Sequence, residues 1–64
     1  MFLKIGRVVK ETRIRKGLSQ KGLAAVAGMK QPDISRIEEG SKNVTLKTLF
    51  FLCKVLDIKT VDLQ

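Results

Sequence analysis

The 64-residue chain has no histidine, one cysteine, one proline and six carboxylates. It also has no apolar run near the roughly 20 residues that span a bilayer. Each absence closes a class of function. Without histidine, a glycine-rich phosphate loop or a metal-ligand cluster, general acid–base, nucleophilic and metal chemistry have nothing to work with. The only adjacent carboxylates, Glu38 and Glu39, would point about 100° apart on a helix and cannot share a site. The expectation is a protein that is not an enzyme and needs no cofactor, metal or small-molecule ligand. The lone Cys53 cannot form an internal disulfide and lies in the apolar run Leu49 to Leu56, where a buried thiol is expected. That places the protein in a reducing, cytoplasmic compartment. Met1-Phe2-Leu3 is too short for a signal-peptide core, and no membrane partner is expected.

What is abundant is positive charge: 13 Lys and Arg against six acids give +7. A compact domain tolerates such self-repulsion more easily beside an anionic partner. The charge is also lopsided. Residues 1–30 hold eight basic side chains (Lys4, Arg7, Lys10, Arg13, Arg15, Lys16, Lys21, Lys30) and one acid, Glu11, whereas residues 31–64 balance five against five. A solvated basic helix face would account for part of this; the asymmetry suggests that one side of the folded domain carries the positive potential, toward nucleic acid or an acidic membrane surface. A chain of this length is expected to form one domain, residues 1–64, with a small core, because it buries only about 60 % of its unfolded surface.

Glycines punctuate the helical pattern. Gly17, Gly28 and Gly40 each follow an apolar-periodic segment, as expected of residues that take the left-handed conformation past a helix end. Ile5, Val8 and Val9 predict a first helix from Lys4 to Lys16. Ser19 offers an N-cap to a short, alanine-rich helix over residues 20–27. Gly28-Met29-Lys30 breaks the chain before a third helix, 31–39, with Pro32 in its first turn, where no amide donor is needed. Ile34 and Ile37 would face inward, leaving Gln31, Pro32, Ser35 and Arg36 outward at the leading end. Thr45 caps a fourth helix from Leu46 to about Leu56, and Thr60–Gln64 reads equally as one further turn or as a frayed tail. The predicted fold is all-α, a compact bundle of four to five short helices.

Two short helices joined by a tight glycine turn, the second with a polar leading end, form the helix-turn-helix that enters a DNA major groove, here at about residues 20–39. Gly17-Leu18-Ser19-Gln20, Leu23-Ala24, Ala27-Gly28, Ile34-Ser35-Arg36-Ile37-Glu38, Gly40, Leu46 and Leu49 fall in an order and spacing that resemble the phage Cro and repressor family. The resemblance covers about residues 4–60 and implies a lambda repressor-like bundle. It also implies base reading by Gln31, Pro32, Ser35 and Arg36, phosphate or backbone contacts from Gln20, Lys30, Ser41, Lys42 and Asn43, and a structural ion pair between Arg13 and Glu38. The implied role is a Cro-like transcriptional repressor on double-stranded DNA, a dimer at least on a palindromic operator. The alternative is an antitoxin that binds a cognate toxin and represses its own operon.

Several residues depart from that pattern. Lys30 stands where a serine or threonine cap is usual, and Asp33 either compensates through the helix dipole or accepts from cytosine N4. Pro32 offers only apolar contact. Gly22 lies inside the second helix without an evident role, and Thr12 replaces a common leucine. Phe50 fits a core stripe of Leu46, Leu49, Cys53 and Leu56, while Phe51 falls to the edge, either packed on Phe2 or Leu3 or forming a dimer contact.

Overall fold

A computed structural model describes residues 2–41 and 44–58, with the side chains of Phe2 and Leu3 outside the description. Four α-helices follow one another: α1 (Phe2–Arg15), α2 (Gln20–Ala27), α3 (Gln31–Glu39) and α4 (Leu46–Leu56). No strand occurs among the described residues. The fold is all-α, and the expected helices 20–27, 31–39 and 46–56 have the bounds read from the sequence. The first helix begins two residues earlier, at Phe2, and ends one residue earlier, at Arg15. Thr60–Gln64 lie outside the described residues, so a fifth turn there is not described.

The starts and stops have local causes. Ser19 and Thr45 sit in extended conformation, and their hydroxyls accept from the Gly22 and Thr48 amides, satisfying donors that each helix leaves open. The four described helices end alike: the amide of the left-handed residue (Gly17, Gly28, Gly40 or Asp57) reaches back three residues, and the amide of the residue after it reaches back five. This is the Schellman stop. It turns Leu18, Met29 and Ile58 back onto the core, where Ile58 is buried and the other two are half-buried. At α4 the left-handed position is held by Asp57 (φ 57°) rather than glycine, a stop that a search for glycines misses.

The core is built from one face of each helix: Ile5 and Val9, Leu23, Ala24 and Ala27, Ile34 and Ile37, then Leu52, Cys53 and Leu56, closed by Ile58. Each fully buried leucine or isoleucine contributes about 1.5–3 kcal/mol. Helix α3 packs on α1 and α2, and α4 packs less extensively against the same two helices. Thr12 is buried, and its hydroxyl accepts from the Arg15 guanidinium, so the polar group in the leucine position is satisfied. Burial also pushes the Cys53 thiol pKa up.

Leu46 and Phe50, expected in the α4 core stripe, are instead 70 % and 56 % exposed. The inward stripe is Leu49, Leu52, Cys53 and Leu56. Leu52 takes an inward position, which rotates the buried face by about 50° away from Leu46 and Phe50, half the angular step of one residue. Phe51 is exposed as well.

Candidate nucleic-acid interface

Helices α2 and α3 are joined by three residues, Gly28-Met29-Lys30, with Gly28 left-handed (φ 66°, ψ 30°). Small side chains at Ala24 and Ala27 let the two helices approach closely, and both are buried. Helix α3 is anchored by Ile34 and Ile37, which are essentially inaccessible. Gln31, Pro32 and Arg36 are exposed on its other face, and Ser35 is half-buried. They form two parallel rows: Gln31 and Ser35 in one, Pro32 and Arg36 in the other, each spaced by four residues.

The start of α3 has no side-chain cap, because Lys30 occupies the N-cap. Its carbonyl accepts from the Asp33 and Ile34 amides. Lys30 is exposed at the start of α3, where its cation favours an anion. Arg36 Nη1 lies 3.9 Å from Asp33 Oδ1, and the Arg36 side chain is 62 % exposed. Such a pair contributes little and leaves the guanidinium able to swing outward.

Behind the exposed rows runs a hydrogen-bonded chain. Arg13 on α1 donates through Nε to Glu38 Oε2 at 2.7 Å and through Nη2 to Oε1 at 3.1 Å, a two-pronged pair whose side chains are 11 % and 3 % exposed. Arg13 Nη1 also donates to the Leu18 carbonyl at 2.8 Å, tying the α1–α2 turn to the pair. Gln20 Nε2 donates to Glu38 Oε1 at 3.0 Å, and Gln31 Nε2 donates to Gln20 Oε1 at 3.1 Å. The direction of this chain is forced: a carboxylate accepts only, so Gln20 must turn its nitrogen to Glu38 and its oxygen to Gln31. Gln31 therefore keeps its carbonyl and one N–H for an outside partner. The sequence did not show that Gln20 joins the Arg13–Glu38 pair to Gln31; the link depends on how α1, α2 and α3 meet.

Ser41 is exposed just past α3, and its hydroxyl reaches the Arg36 carbonyl at 3.3 Å. Lys42 and Asn43, expected at the DNA backbone, lie outside the described residues. The basic side chains of residues 1–30 other than Arg13 are all exposed. Among the described residues no group of His, Cys, Asp or Glu could hold a metal ion, and no helix is long and apolar enough to cross a membrane.

A helix-turn-helix family model matches residues 9–63. The chain belongs to the helix-turn-helix family. An HTH-type transcriptional regulator of Haemophilus influenzae is 49 % identical over 41 residues, which are 64 % of this chain and 42 % of that protein. The match spans less than half of that relative's length. Among solved structures, the helix-turn-helix chain is similar to the restriction-modification controller protein C.AhdI of Aeromonas hydrophila, with a TM-score of 0.87 and 35 % identity over 98 % of this chain and 91 % of that one. It is also similar to the controller protein C.Esp1396I, with a TM-score of 0.85 and 34 % identity over 97 % and 80 %. This is a family of DNA-binding transcriptional regulators.

Proposed function

We propose that this chain is a sequence-specific regulator that binds a two-fold symmetric operator as a homodimer in the cytoplasm and represses by occupying it. The reading rests above all on α3, whose Ile34 and Ile37 are locked in the core while Gln31, Pro32 and Arg36 stand exposed at its leading end. A major groove about 12 Å wide accepts one such helix. In this reading Gln31 pairs with adenine, using its remaining carbonyl and N–H, and Arg36 pairs with guanine O6 and N7. Pro32 touches a thymine methyl, and Ser35 meets a third base. Gln20, Lys30, Ser41, Lys42 and Asn43 hold phosphates and set the register. The names of the similar regulators and controller proteins support a regulator over an antitoxin, and they favour control of a restriction-modification locus.

Selection of bound duplexes from a random pool is expected to recover an inverted repeat with half-sites about 34–36 Å apart. Alanine at Gln31 and at Arg36 should each reduce discrimination at one base by about 5- to 150-fold, corresponding to roughly 1–3 kcal/mol. Folding should be preserved, because both side chains are exposed. Binding that fell with salt equally for cognate and shuffled DNA would show phosphate contact alone and end this reading.

Dimerisation is assigned to α4. Phe50 and Phe51 are 56 % and 46 % exposed and, with Met29, Lys47 and Lys54, border an open groove of about 570 Å³. Exposed apolar groups of this size mark interfaces. Phe51→Ser should weaken the dimer by about tenfold in sedimentation equilibrium, and unchanged association would remove Phe51 from the interface.

A further inference from the structure

Glu39 closes the row that begins at Gln31 and passes through Ser35, three residues spaced by four on α3. Its carboxylate lies beside two hydroxyls: Ser35 Oγ is 3.4 Å from Oε1, and Ser41 Oγ is 3.5 Å from Oε2, although the one hydrogen of Ser41 has the Arg36 carbonyl nearer, at 3.3 Å. An ionised carboxylate has no proton to offer, so Ser35 must be the donor in its bond to Glu39. Ser35 has a single O–H. Once that hydrogen is given to Glu39, only lone pairs are left on the outward side.

We infer that Glu39 is a positioning residue for specificity, engaging the Ser35 hydrogen so that Ser35 acts as an acceptor that selects a base with an exposed amino group, adenine N6 or cytosine N4. Guanine and thymine present acceptors at the corresponding place, O6 and N7 or O4. Two effects act in the same direction. The hydroxyl has no hydrogen left for those acceptors, and the nearby negative charge repels them while attracting an amino group. The inference rests on the DNA-binding reading above and deepens it at one position. It also gives a role to an acid whose repulsion from phosphates would otherwise only weaken binding.

The test is selection from a random duplex pool with the full chain as wild type, Ser35→Ala and Glu39→Gln, each checked for folding by circular dichroism. In the wild type one position should favour adenine or cytosine on the contacted strand, and Ser35→Ala should erase that preference, which identifies the position. The Glu39→Gln amide can donate as well as accept, so Ser35 can turn its hydrogen outward. Guanine and thymine should then enter at that position, with discrimination reduced by about fivefold or more, the lower end of a single base contact. The positions read by Gln31 and Arg36 should keep their preference. If Ser35→Ala alters no position, or Glu39→Gln leaves the identified position as in the wild type, the role of Glu39 is overturned while the DNA reading stands. A wild-type chain with no preference at any position overturns both.

Discussion

Alanine at position 6 is expected to remove most or all of the stability of the native state. Helix propensity alone predicts the reverse, since glycine inside a helix is about 1 kcal/mol worse than alanine. The tertiary structure reverses the sign. Gly6 lies where α1 crosses α3, and a Cβ there would sit 2.3 Å from the Ile37 carbonyl oxygen and 2.8 Å from that of Glu38. Both obstacles are backbone atoms of a helix anchored in the core, so the helices would have to separate by at least about 1 Å to regain normal contact. That opens the packing of Ile5 and Val9 on Ile34 and Ile37. Overpacking costs about 1–3 kcal/mol or more, and a chain this small has little stability in reserve. Thermal and urea unfolding should show a loss of about 3 kcal/mol or an unfolded chain. Gly22→Ala is the contrast: its Cβ would meet only the side chains of Ser19, at 3.2 Å, and Leu18, at 3.7 Å. That variant should stay within about 1 kcal/mol of the wild type. Equal stability of Gly6→Ala and the wild type would refute the close crossing.

The second large effect is expected at Glu38. Its carboxylate, 3 % exposed, accepts from both Arg13 and Gln20. Removing it strands a guanidinium that is 11 % exposed, which costs about 3–5 kcal/mol even though the intact pair contributes little net stability. Glu38→Ala should therefore be far less stable than most surface variants of this chain. The double variant Arg13→Met with Glu38→Leu should recover much of the loss, because no buried charge is left alone. A double-mutant cycle on denaturant midpoints measures the coupling. If Glu38→Ala lost less than about 1 kcal/mol, the pair would not be the clamp between α1 and α3 that its geometry describes. Gln20 loses its acceptor in the same variant, so the Gln31 amide is no longer held in one orientation. At temperatures where the protein is folded, preference at the Gln31 base should weaken although neither Gln20 nor Gln31 has been changed.

Much of the fold was legible because its signals are local. Ser19, Thr45 and the glycines at 28 and 40 act through their own backbone neighbourhood, and apolar residues three and four apart must share a helix face wherever the helix goes. The pairing of Arg13 with Glu38 was legible only through resemblance, since 25 residues separate them and nothing local links them. The segment Asp57-Ile58-Lys59 is expected to end α4, but Asp57 is not marked as its left-handed residue, because aspartate takes that conformation far less often than glycine. Phe50 was misplaced because adjacent apolar residues on α4 offer more than one inward face.

The sequence by itself determined the four described helices, the Ser19 and Thr45 caps and the polar leading end of α3, since these follow from side-chain chemistry within a few residues. Tertiary structure decided which way α4 is turned, that position 6 admits no methyl group, and that one directed chain of hydrogen bonds runs from Arg13 to Gln31. These depend on distances between atoms far apart in the chain, which exist only once the helices have packed.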